Sequence, residues 1–159
     1  MPNSRVALIR GEDRYENVQR ALAQIAADVD LTDKQRVLIK PNFVATDKPL
    51  AATHVDAVRA VLDFVRARYD GPLTIADGPS MQPAAEGFRR YGYESLAQDY
   101  AVVLADLNAD DPVSVEVYDR RLRPMRLHLA RSVVESDFRI SVGPPKTHDI
   151  VIVTLSLKN

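Results

Sequence analysis

Three short apolar runs, each cut off by proline, glycine or charge, constrain this chain more than anything else in it. Val37-Leu38-Ile39 stops at Lys40-Pro41-Asn42, and Leu73-Thr74-Ile75-Ala76 stops at Asp77-Gly78. Phe138-Arg139-Ile140-Ser141-Val142 stops at Gly143-Pro144-Pro145-Lys146-Thr147-His148. Runs this short, rich in branched side chains and bounded by turn formers, read as strands. Val6-Ala7-Leu8-Ile9 reads as a further buried strand, and residues 101–107 as another.

Between the runs lie apolar positions at helical spacing. Val18, Ala21, Leu22, Ile25, Ala26 and Val29 form one stripe, behind Asp13 as cap with Glu16 three residues on. Val55, Val58, Val61, Leu62, Val65 and Tyr69 form a second, behind a capping pair of Thr53 and Asp56. A helix is expected over residues 83–91, closed by Gly92, with a short one at 95–99 and a helical turn at 132–136. Val113, Val115 and Val117 alternate with polar residues, as do Met125, Leu127 and Leu129, which predicts a hairpin wet on one face. Strands alternating with amphipathic helices imply βαβ units. The expected fold is α/β, a mostly parallel sheet with helices on both faces plus an antiparallel hairpin, in one domain over residues 1–159.

The formal net charge of −1 offers no global field for nucleic acid or an anionic membrane, so neither is expected as a partner. The chain has no cysteine, which removes disulfides, thiolate metal sites and any cysteine-ligated iron–sulfur cluster within it. The start lacks the pattern of a signal peptide, and no apolar run approaches the roughly 20 residues that span a bilayer. A cytoplasmic location is the default expectation.

In an open parallel sheet, ligands bind beyond the carboxyl ends of the strands. There the three runs carry Lys40, Asn42, Asp77, Lys146, Thr147 and His148. Each has a plain structural reading: Lys40 as a solvated strand end, Asn42 and Asp77-Gly78 as turn residues, His148 as a packing histidine. Taken together they define a candidate crevice. Lys40 and Lys146 suit a carboxylate or phosphate, and side by side one could give up its proton. His148 could shuttle a proton and Asp77 could orient it, so His148, Lys146 and Asp77 are the catalytic candidates. Ser80, with Pro79 ahead of a helix, could hold an anion at the helix start. One carboxylate and one histidine do not make a metal site. His54 and His128 read as structural. No dinucleotide or nucleotide-triphosphate glycine motif occurs.

At these residues the sequence resembles the DUF362 family. The matching stretches are residues 37–42, 75–78, 136–142 and 145–148, and finally Thr154-Leu155-Ser156-Leu157-Lys158-Asn159. The resemblance implies a prokaryotic protein and places Lys158 and Asn159 on the edge of the crevice as further ligand-binding candidates. Some family members carry a cysteine-rich, ferredoxin-like segment; this chain cannot. Members run well past the Leu-Lys-Asn motif, so the chain is read as truncated at its C-terminal end.

Three functions follow as expectations. The first is an enzyme, or the substrate half of one, acting on a small anionic metabolite held by Lys40, Lys146 and Lys158. The second is a non-catalytic ligand- or cofactor-binding module serving an iron–sulfur electron-transfer partner or segment encoded elsewhere. The third is a pure interaction domain. Residues 150–155 are apolar on both alternating faces and should be buried on both. Left at an edge, that run would pair with another copy, giving a homo-oligomer through the C-terminal segment.

Overall fold

A computed structural model describes residues 4–147, 153, 154 and 156 of the chain. Helix α1, Arg14–Ile25, begins where the Asp13 carboxylate accepts the Glu16 amide at 2.8 Å. That bond satisfies one of the amides a first helical turn leaves open. Val18 and Leu22, continued by Ala26 and Val29, pack half-buried against the core. Strand β1, Val37–Lys40, follows. It ends at Pro41, which has no N–H with which to extend a ladder.

Helix α2, Val55–Arg66, buries Val58, Val61, Leu62 and Val65, with Ala57, Ala60 and Phe64 beside them. Its cap differs from the expected one. The Nδ1 atom of His54 accepts the Asp56 amide at 3.2 Å, while the Thr53 side chain is buried and bonded elsewhere. Strand β2, Leu73–Asp77, leads to α3, Ala84–Arg90, and α4, Glu94–Tyr100. Gly92 links these two helices at φ +80°, a conformation only glycine adopts without strain. Strand β3, Val103–Asp106, completes this half.

Next come the hairpin strands β4, Pro112–Tyr118, and β5, Pro124–Ala130, the short helix α5, Arg131–Glu135, and strand β6, Phe138–Ser141. Two short strands, β7 at Lys146–Thr147 and β8 at Val153–Thr154, pair antiparallel. The central sheet runs β3-β2-β1-β6, parallel throughout. The fold is therefore α/β, with an antiparallel hairpin attached. From β1 the chain moves to one side through β2 and β3, then returns to place β6 on the other side. The β1/β6 boundary is thus where the direction of winding reverses.

Val37, Ile39, Leu73 and Ile75 share one face of the sheet by alternation. They form the core with Val58, Leu62 and Val65 of α2, Phe88 of α3 and Leu96 of α4. Each such side chain contributes about 1.5–3 kcal/mol on burial. Asp63 of α2 ties the helices together, accepting from the Tyr15 and Tyr100 hydroxyls at 2.7 Å each. Burial and that carboxylate push the Tyr100 phenol up to about 12.

Two further expectations change. Val6-Ala7-Leu8-Ile9 is not a strand: Val6 is 89% and Leu8 91% exposed. Both sides of β1 are taken by β2 and β6, and Arg5 instead pairs with Asp28 at 2.6 Å beside the end of α1. The hairpin is wetter than predicted. Every β5 residue before Ala130 is exposed, although the β4 valines are half-buried as the alternation requires. Residues 150–152 and 155, on which the expected C-terminal association rests, lie outside the described residues. No helix among the described residues is long and apolar enough to cross a membrane.

Replacing fully buried Leu62 by alanine should cost about 2–5 kcal/mol in urea unfolding, while Leu122→Ala at the exposed hairpin tip should change stability by less than ~0.5 kcal/mol.

Candidate functional site at the strand ends

Strands β1 and β2 run in register, Ile39 beside Ile75, so their carboxyl ends fall together. Lys40 at the end of β1 donates to Asp77 Oδ1 at 2.6 Å. Asp77, at the end of β2, is only 1% exposed. Its second oxygen accepts the Phe43 amide at 2.8 Å, and the Gly78 amide also bonds to it. Burial raises the Asp77 carboxyl above its ordinary value; Lys40 and the two amides pull it part of the way back.

The loop after β1 is pinned from below by an aromatic cluster. Phe43 meets Phe88, Tyr91 and Tyr93 edge to face, with ring centroids 5.4, 5.2 and 5.0 Å apart. Gly87 of α3 lies against that ring: a Cβ there would stand 2.9 Å from Phe43 Cδ2. Only glycine allows α3 to approach so closely.

Across the β1/β6 boundary the bridge is Thr53. Its Oγ1 accepts the Asn42 amide at 2.8 Å and donates to the Val142 carbonyl at 2.6 Å. The Thr53 amide donates to the Asn42 carbonyl at 2.9 Å, and the buried Tyr93 hydroxyl donates to the Thr53 carbonyl at the same distance. Val142 itself donates its amide to the Lys40 carbonyl at 2.8 Å, just past the ladder that pairs Lys40 with Ser141. The Lys146 ammonium then reaches back over the boundary, donating to Asn42 Oδ1 and, at 3.0 Å, to the Ala51 carbonyl.

The structure thus brings Lys40, Asn42, Asp77 and Lys146 to one edge of the sheet. Two bonded pairs stand among them, Lys40 with Asp77 and Asn42 with Lys146. Both Asp77 oxygens accept from the protein itself, so the carboxylate acts as a pin for β1, β2 and the Phe43 loop. Thr147 is exposed in β7. His148, Lys158 and Asn159 lie outside the described residues. Ser80 sits apart, on a second concavity shared with Gln82, Asp106 and Asn108. The helix after it starts only at Ala84, whose amide already donates to the Asp106 carboxylate at 2.8 Å. Among the described residues no group of three or more histidine, aspartate or glutamate side chains is placed to hold a metal ion.

Beside Lys146 opens a cavity of about 700 Å³ lined by Val44, Lys48, Leu50, Pro145, Thr147 and Thr154, among others. Lys48 and the apolar wall were not singled out from the sequence, because a long loop between strand and helix leaves no periodic signal. Thr53 and Phe43 were missed as site residues for the same reason. The proximity of Thr53 to a helix start pointed to capping instead.

These features describe an open-sheet α/β protein with a lysine-bearing crevice where its winding direction reverses. Residues 37–159 match the family described as Domain of unknown function (DUF362), and the chain belongs to that family. No curated protein and no solved structure matches it.

Two outcomes test the pin. Asp77→Ala leaves the Lys40 ammonium without its carboxylate and should cost about 3–5 kcal/mol in chemical denaturation. The native carboxyl titrates above its ordinary value of 3.8, so the native state holds the extra proton through that window. Wild-type stability should therefore fall, relative to Asp77→Asn, as pH rises from 3.8 through the raised native value. Urea midpoints of the two proteins measured across acid pH check the sign; parallel curves would show that Asp77 titrates normally.

Proposed function

We propose that this protein binds a small anionic metabolite with an apolar body in the crevice at the carboxyl ends of β1 and β6. The observation that carries the reading is the cavity of about 700 Å³ beside Lys146. Its size falls in the range of small-molecule sites, and its make-up is typical of them: an apolar wall with a few placed polar groups. Lys48, Lys146 and Thr147 supply cationic and hydroxyl donors on one side. Val44, Pro49, Leu50 and Pro145 supply the wall. The location supports the same reading, since open α/β sheets bind ligands at such reversal points.

Asp77 accepts from Lys40 and from the Phe43 amide, so it serves the crevice as a structural pin. Lys146 donates to the Asn42 amide oxygen and the Ala51 carbonyl, which holds its cationic end at the cavity wall for an anion partner.

Thermal denaturation with millimolar aliphatic and aromatic carboxylates, and with inorganic phosphate, tests the reading. A carboxylate at about ten times its Kd should stabilise the protein by about 1.4 kcal/mol. The shift should disappear in a Lys48→Ala/Lys146→Ala double variant. Absence of any shift, or an equal shift in the double variant, would reject the site.

A further inference from the structure

The hairpin of β4 and β5 has an apolar face that the core does not use. Direct cross-strand pairing sets Val113 beside Leu129, Val115 beside Leu127, and Val117 beside Met125. Six apolar side chains therefore line one face of a ribbon seven residues long. None of them belongs to the core cluster. Met125, Leu127 and Leu129 are 43, 39 and 41% exposed. The ribbon packs chiefly on α5 at its base. A two-stranded ribbon standing alone in water is marginal, and an apolar stripe of this kind marks an interaction surface.

The charges say what covers it. The tip carries Arg120, Arg121 and Arg123 against Asp119 alone, and Arg123 already pairs with that aspartate at 2.7 Å. The base carries Asp110 and Asp111. Asp110 accepts from the neutral amide and hydroxyl of Ser132, which leave its charge in place. The Asp111 side chain is 82% exposed, with its nearest cation, Arg131, 3.8 Å away. One end of the ribbon is basic and the other acidic.

We propose that the partner is a second copy of this chain. Two ribbons stack apolar face to apolar face about a two-fold axis lying across the strands, which reverses one against the other. Arg120 and Arg121 of each copy then meet Asp110 and Asp111 of its partner, and every apolar residue meets an apolar face. Self-complementarity under a two-fold axis is what an isologous interface requires, and the opposed charges fix the orientation. A ribbon of this length offers roughly 24 Å of face, which places the contact in the weak, concentration-dependent class.

Sedimentation equilibrium of the whole chain from about 5 to about 500 µM should show a monomer passing into a dimer. Leu127→Glu, at the middle of the apolar face, should leave a monomer across that range. Arg120→Glu/Arg121→Glu should weaken association at least about tenfold, and adding Asp111→Lys should restore it. These three positions are exposed, so the charge variants keep the test decisive should Leu127→Glu disturb the hairpin. A monomer at every concentration, or a dimer indifferent to both the Leu127 and the charge variants, would overturn the proposal.

Discussion

The buried carboxylate of Asp77 is the constraint on which the strand-end region depends. A charge at 1% exposure is tolerated only where donors surround it, and here they come from three places: the Lys40 ammonium, the Phe43 amide and the Gly78 amide. Each donor fixes a different piece of chain. Lys40 locks the end of β1 to the end of β2. Phe43 holds the loop that carries Asn42. Gly78 shapes the turn that leaves β2. An apolar residue at position 77 would leave a half-buried lysine and two amides to find other partners.

The same loop is held twice more by different physics. Phe43 is wedged among three aromatic rings, with Gly87 giving it room. Asn42 is bonded through its backbone to Thr53, and Thr53 also bonds to Val142 at the end of β6. Charge, packing and backbone hydrogen bonds converge on a few residues after β1. A loop held in this way has little conformational freedom left to lose. That is the physical ground for reading the region as a site and not merely as a set of turns.

The molecule treats its two apolar surfaces differently. The face of β1 and β2 that carries Ile39 and Ile75 is sealed by α2 and its neighbours. The ribbon of β4 and β5 lies outside that seal, and its tip and base carry opposite charge. The crevice and the ribbon are built by different segments of chain, so a ligand and a partner could be accommodated independently.

Much of this was already readable in the residues. The runs ending at Lys40, Asp77 and Ser141 are buried or edge strands because branched side chains followed by proline, glycine or charge have few other stable forms. The α2 stripe, the Asp13 cap and the Gly92 stop rest on local periodicity and backbone chemistry, which a sequence carries openly. Val6-Ala7-Leu8-Ile9 has the same local character and is no strand, because a strand exists only by pairing and local character does not supply a pairing partner. Thr53 looked like a helix cap and is a bridge, because its partner Val142 is 89 residues away. The residues named the two lysines; the structure adds a partner for each, Asp77 for Lys40 and Asn42 for Lys146. Sequence by itself determined the main helices and the strand runs that end at Lys40, Asp77 and Ser141, with the polar groups that follow them, since those rest on near neighbours along the chain. Strand order, and with it the choice of partner for each buried polar group, was decided only by the tertiary structure, since hydrogen bonds across a sheet join residues whose separation no local pattern records.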